Sequence, residues 1–222
     1  GLEELNFHAF SVASNPVARP RMSAMAFCRL IQPGLGRRAI LHCTVRDHNR
    51  IGLQSELLGA RALGLDTIMA VTGDPSAARD RRTTTVGDLT VFELLSLAAD
   101  IGLFPGAVLD YRPEVNGLAG EIRRLERKVA AGCRFIVTQP VYDPDTARAI
   151  HDGTAHLNVP VIMGILPLLS FRHAVFLHDK VAGIAVPESL RKRLETSSRP
   201  LADGVAQARE MLGLARSLFS GA

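Results

Sequence analysis

The chain has no CxxC pair, no GxGxxG run, no zinc-ligand set and no apolar stretch long enough to cross a bilayer. Its three cysteines, Cys28, Cys43 and Cys133, stand far apart among apolar neighbours. An odd, dispersed set excludes a disulfide framework or zinc ribbon, and reduced core residues are expected instead. A membrane helix needs about 18 consecutive apolar residues, and no run reaches that. No signal-peptide pattern opens the chain. The first residue is Gly rather than Met, so the start of the gene product is expected to be absent. Internal repeats, low-complexity tracts and a second-domain boundary are missing as well.

The 222 residues suffice for one large domain with a substantial core, and 47% hydrophobic with 22% charged suits a globular protein. The net charge is +4. Basic clusters at Arg79, Arg81 and Arg82, at Arg123, Arg124, Arg127 and Lys128, and at Arg191, Lys192 and Arg193 are scattered without interleaved aromatics. They read as solvated faces, not as a nucleic-acid surface, and a cytoplasmic location without membrane partners is expected.

Short apolar runs alternate with amphipathic ones. Strands are expected at 7–13, 38–45, 67–72, 104–109, 135–139 and 159–166. Helices are expected near 20–32, 51–63, 88–101, 117–131, 144–156, 170–178, 187–195 and 202–219. Asp143-Pro144 and Pro187-Glu188 are helix starts, and Gly64, Gly102 and Gly132 are helix ends before strands. Continuous apolar strands separated by helices imply a parallel sheet covered by helices. Without the dinucleotide fingerprint, six βα units favour an α/β fold of the (β/α)8 TIM-barrel type over a doubly wound sheet. Eight units take about 250 residues, so the barrel is incomplete, with about six parallel strands in a single domain over 1–222. The polar stretch Ser76 to Thr85 is the expected mobile loop.

A (β/α) barrel carries its chemistry at the C-terminal strand ends. Those ends hold Ser14-Asn15, His42 to Asp47, Thr72 to Pro75, Asp110 to Glu114, Thr138-Gln139-Pro140, and Leu166-Pro167 with Ser170-Phe171. Polar residues gather at nearly every one. Each has a plainer reading. The Thr72-Gly73-Asp74-Pro75 turn ends a strand, though its Gly admits a ligand close to the backbone. Gln139 is either a satisfied core amide or a reader of a ligand's donor–acceptor edge. His42 suits a hydrogen-bonded barrel position better than a metal site, and no metal is expected. Arg46 and Asp47 read as paired charges. Arg112 is a loop arginine suited to a phosphate.

Taken in order, "NPVARPRMSA", "HCTVRDHNRIGLQSELLGARALGLDTIMAVTGDP", "RLERKVAAGCRFIVTQPVYD" and "VIMGILPLLSFRHAVFLH" resemble the methylenetetrahydrofolate reductase family, most closely its form fused to homocysteine methyltransferase domains. The resemblance covers nearly the whole chain. It implies FAD at the strand ends, NADH or NADPH as reductant, and reduction of 5,10-methylenetetrahydrofolate to the 5-methyl form. By position, it implies that His42, Thr72, Gly73 and Asp74 contact the flavin, with Asp74 the catalytic residue beside flavin and pterin. Glu121 and Lys128, at i and i+7 on one helix, match positions that hold the ribityl and phosphate portions. Arg112 stands where other members have His and is a further candidate cofactor contact. Gln139 matches the glutamine that meets nicotinamide and folate, and Phe171 an aromatic that packs on them. A homo-oligomer and an association with a homocysteine methyltransferase are compatible partners.

The sequence also departs from the family. Some members carry Arg at the place of Thr72 and Tyr at that of Thr85. The general-acid glutamate of the family's first strand has no counterpart, Glu114 being the nearest substitute. The visible strands correspond to the second through seventh, so the chain is expected to be a fragment. Two other functions are compatible with these departures: a non-catalytic folate- or flavin-binding subunit, and a flavin-free NAD(P)H-dependent folate reductase.

Overall fold

The structure is a computed structural model that describes residues 6–74, 84–111, 117–181 and 183–222. Six strands make one sheet in the order β1-β2-β3-β4-β5-β6. They are β1 (Ala9–Val12), β2 (Arg38–Thr44), β3 (Thr67–Val71), β4 (Phe104–Leu109), β5 (Phe135–Pro140) and β6 (Val161–Gly164). The pairings β1–β2, β2–β3, β3–β4 and β5–β6 are parallel. A sequential order with no reversal is barrel topology, since a doubly wound sheet turns back at a switch point. The expected α/β class with six parallel strands of an incomplete barrel is therefore what forms.

The helices are α1 (Ala24–Leu35), α2 (Arg50–Ala62), α3 (Val91–Asp100), α4 (Gly117–Ala130), α5 (Pro144–Thr154), α6 (Phe171–Lys180), α7 (Glu188–Thr196) and α8 (Pro200–Leu218). Their starts are written locally. Asn49 accepts from the Gly52 amide at 2.8 Å, and Asp143 from the Thr146 amide at 2.8 Å. Thr90 and Glu93 form a reciprocal capping box. Helix α1 starts four residues later than expected, at its Ser23 cap, and runs through Pro33. A proline that late removes one bond of the last turn and leaves the Gly36 amide on the Gln32 carbonyl.

Two compact units divide the chain. The first comprises 1–107 with 128–134, the second 108–127 with 135–222. In the first unit, Leu41, Leu53, Leu57, Leu65, Ile68, Leu94 and Leu95 are essentially solvent-free. Strand β2 alternates, with Ala39, Leu41 and Cys43 buried on one face and Ile40, His42 and Thr44 on the other. In the second unit, Tyr142, Leu168, Ala174, Leu177, Ile184, Val186, Leu190 and Leu194 form an apolar cluster, with Phe171 packed partly against it.

Beyond α8 the chain ends on the edge of β6. Ser220 donates its amide to the Val161 carbonyl, and the Met163 amide donates to the Gly221 carbonyl, both at 3.0 Å. This parallel bridge was absent from the sequence-derived elements, because two residues carry no strand pattern. All three cysteines are free and buried. Burial pushes the thiols of Cys28 and Cys43 up to about 11 and about 12, so both are protonated at neutral pH.

Candidate functional site

In the first unit, the strand-end chemistry is organised by Arg46, which is 4% exposed. Its Nε donates to Asp47 Oδ1 at 2.6 Å and its Nη2 to Asp47 Oδ2 at 2.7 Å. Nη1 donates to the Asp74 carbonyl at 3.0 Å, and Nη2 also to the Asn15 carbonyl at 3.2 Å. One guanidinium thus ties together the segments that follow β1, β2 and β3. Arg46 beside it holds the Asp47 carboxyl below the usual carboxylate range. The paired-charge reading of Arg46 and Asp47 is correct, and the pair also does more: it is the hub of three loops.

The segment after β1 is held in an unusual backbone. Asn15, Val17 and Ala18 have φ of 43°, 52° and 52°, a region that β-branched residues rarely occupy. Asp74 holds this turn by accepting the Val17 amide on Oδ2 at 2.7 Å. Its other oxygen has no protein partner among the described residues. Asp74 and Thr72 are both exposed.

Gly73 sits between these groups at φ +85°. A Cβ there would lie 3.1 Å from the Arg46 Cβ and 3.3 Å from both the Cβ and Oγ1 of Thr44. Thr44 is buried, and its hydroxyl has no hydrogen-bond partner among the described residues. Beside bare backbone, this hydroxyl is open to a partner that the protein itself does not supply. His42 shares this face of β2, and its Nε2 lies 2.7 Å from the Ser11 hydroxyl. Burial holds His42 below the usual histidine range, so the imidazole is neutral at pH 7.

In the second unit, Gln139 is half-buried near the end of β5. The Thr138 hydroxyl donates to the Gln139 carbonyl at 2.6 Å and accepts the Gly164 amide at 3.0 Å. These bonds sit where the β5–β6 register shifts, between Val137 and Pro140. Gly183, at φ +80°, approaches from the segment after α6. A Cβ on it would lie 2.8 Å from Asp110 Oδ1 and 3.1 Å from Gln139 Cγ. A small cavity of about 30 Å³ borders Gln139, Tyr111 and Gly183. Phe171 is the first residue of α6 and half-buried.

Glu121 and Lys128 both lie on α4, as expected, and both are buried. Glu121 Oε1 accepts the Asp110 amide at 3.0 Å and so fixes the end of β4. Arg112 and Glu114, the arginines of the first basic cluster, and 76–83 of the polar stretch lie outside the described residues. Sequence reasoning placed Thr44 at the His42 to Asp47 strand end without giving it a role, and it did not single out Gly183. Thr44 could have been found from its i+2 spacing to His42 on a strand end. Nothing local marks Gly183, whose role depends on a distant strand.

The sequence profile of the methylenetetrahydrofolate reductase family matches residues 2–214. The chain belongs to this family. A 5,10-methylenetetrahydrofolate reductase of Salmonella typhimurium is 26% identical over 185 residues, covering 82% of this chain and 60% of that protein. Methylenetetrahydrofolate reductase 2 of Schizosaccharomyces pombe is 26% identical over 177 residues, covering 72% of this chain and 28% of its own. The chain thus spans less than two thirds of these reductases. Among solved structures, a protein from Clostridium thermocellum that binds two copies of 5-methyl-5,6,7,8-tetrahydrofolic acid superposes with a TM-score of 0.71 at 17% identity. The match covers 98% of this chain and 75% of that one. At that identity the likeness shows the fold.

Proposed function

We propose that this chain carries the flavin- and folate-handling part of a methylenetetrahydrofolate reductase, which reduces 5,10-methylenetetrahydrofolate to 5-methyltetrahydrofolate at the expense of NADH or NADPH. The observation that supports this most is the orphaned Thr44 hydroxyl beside the bare backbone of Gly73, next to Asp74. A flat heteroaromatic ring with polar edges suits that place: it needs close backbone approach and offers hydrogen-bonding atoms to a buried hydroxyl. These residues fit FAD, which when bound takes hydride from the nicotinamide and delivers it to the folate.

The chain's own groups then have distinct tasks. His42, neutral and paired with Ser11, presents a hydrogen-bonding edge without adding charge. The free oxygen of Asp74 places a negative charge where a cationic form of the folate's one-carbon unit gains stabilisation. Arg46 holds Asp74 in place through its carbonyl. Thr72 and Arg112 are assigned to the cofactor's polar periphery, and Glu121 and Lys128 to its ribityl and phosphate portions. Gln139 offers a donor and an acceptor to nicotinamide and folate in turn, and Phe171 an apolar ring to pack on them.

The test is titration of the purified chain with FAD, followed by anaerobic addition of NADH or NADPH and then of 5,10-methylenetetrahydrofolate. Saturable flavin binding, bleaching by nicotinamide and recovery of the yellow colour with folate are expected. A chain that binds no flavin at saturation, or whose reduced flavin the folate does not reoxidise, overturns the reading. In Asp74→Asn, folate-driven reoxidation is expected to slow about 100-fold, with a much smaller effect on flavin reduction. Equal losses in both half-reactions would remove the role given to Asp74.

A further inference from the structure

The segment from Gly183 to Pro187 connects α6 to α7 without joining the sheet. Ile184 and Val186 are buried in the apolar cluster and Ala185 between them is exposed, the alternation of a half-buried strand. A strand inside a sheet gives its backbone groups to a neighbouring strand. Val186 gives both of its own to side chains instead. Its amide donates to His178 Nδ1 at 3.3 Å, and its carbonyl accepts from Arg191 Nε at 3.2 Å. His178 lies on the last turn of α6 and Arg191 on the first turn of α7. The helix before the segment and the helix after it thus grip the same residue.

The bond to His178 has a chemical requirement. An amide only donates, so Nδ1 keeps its lone pair and the ring hydrogen sits on Nε2. Val186 is 1% exposed, and loss of this acceptor leaves a buried donor to find another. Apolar burial is non-directional, so Ile184 and Val186 set how deep the segment lies. The directional bonds to Val186 set where along the surface it stops.

That position matters at the start of the segment. Gly183 lies against Gln139, close enough that a Cβ on it would stand 3.1 Å from Gln139 Cγ. Gly183 and Ala185 both border the small cavity that Gln139 lines. One wall around the Gln139 side chain is therefore made by this segment. A small shift of the segment removes the wall and admits rotamers that Gly183 blocks.

We infer that His178 is a positioning residue for Gln139. Its Nδ1 holds Val186, Val186 places Gly183, and Gly183 confines the glutamine side chain. The inference rests on the reading of Gln139 as the residue that meets nicotinamide and folate. It extends control over their affinity to a residue of α6 that acts only through the segment beside it.

The experiment compares His178→Ala with His178→Asn, whose Oδ1 can stand where Nδ1 accepts. The imidazole is exposed, so both variants should fold. The side-chain amide signals of Gln139, assigned by their loss in Gln139→Leu, are followed by heteronuclear NMR on the chain without flavin or folate. His178→Ala should shift or broaden them, and His178→Asn should leave them in place. In turnover with FAD, His178→Ala should raise KM for NADH or NADPH and for 5,10-methylenetetrahydrofolate about tenfold, with kcat and flavin affinity retained. His178→Asn should restore the parental values. Unmoved Gln139 signals in His178→Ala overturn the inference. So does an active His178→Ala enzyme with parental KM values, a loss of flavin affinity as large as the rise in KM, or an Asn variant as impaired as the Ala variant. A parent chain that does not turn over defeats the reductase reading alone, since the NMR comparison still decides whether His178 positions Gln139.

Discussion

The strand ends of the two units are organised by different physics. In the first, a buried guanidinium gathers Asp47, Asn15 and Asp74 through charge-assisted bonds. In the second, the contacts described around Gln139 are neutral hydrogen bonds and close backbone approach. Gln139 is framed by the Thr138 hydroxyl bridge and by Gly183 pressing its bare backbone close. The first arrangement depends on one charge, and the second on the absence of one methyl group. An electrostatic hub tolerates small changes of shape but not loss of its cation, whereas a steric frame tolerates changes of charge but not added volume.

Removing the hub should have the largest effect. Arg46→Ala leaves the Asp47 carboxylate and two loop carbonyls without their cation, which costs about 3–5 kcal/mol. A fall in urea midpoint together with loss of flavin binding is expected; wild-type stability would show the pair to be incidental. Gly183→Ala tests the steric frame. The added methyl meets Asp110 Oδ1 at 2.8 Å in a backbone region unfavourable to alanine, at a cost of about 1–3 kcal/mol. Its kinetic signature should be a raised KM for nicotinamide or folate with flavin affinity intact. A loss of flavin instead would erase the distinction between the two ends.

Thr44→Val should act in the opposite sense. It removes a buried hydroxyl that has no partner among the described residues, and the flavin-free protein should gain up to about 1 kcal/mol. FAD should bind more weakly to it. A variant both less stable and unchanged in flavin affinity would mean that the hydroxyl is satisfied within the protein. The smallest effect concerns pH. His42 has a folded pKa below its ordinary value, so the unfolded chain binds the proton more readily. Its contribution is fully present above about pH 6.5, the unfolded value, and is lost progressively as pH falls toward the lower folded one. Denaturation curves between pH 7.5 and about 5 should be flatter for His42→Gln than for the parent.

The sheet was legible in the sequence because its strands are continuous apolar runs between capped helices. Every expected strand and helix formed, with ends displaced by a few residues. The Thr72-Gly73-Asp74 turn was legible too, since Gly and Asp at a strand end are a local signal. The hub was only half visible. Adjacency shows that Arg46 and Asp47 can pair, but not that Arg46 is buried or that it reaches Asn15 and Asp74. The left-handed backbone at Val17 could not be foreseen at all, because a valine has no preference for it and Asp74, 57 positions away, imposes it. Gly183 and the Gly221 bridge to β6 are likewise set by distant partners.

That imposed turn has a thermodynamic consequence. Holding a non-glycine residue at positive φ costs about 1–3 kcal/mol, and a hydrogen bond to a charged acceptor returns about 1.5–3 kcal/mol. The two quantities nearly cancel. A ligand that competes for Asp74 Oδ2 therefore breaks the Val17 bond and relieves the Val17 strain in the same event, so displacing that bond costs little net free energy. The carboxylate is held in position without being strongly committed to its holder.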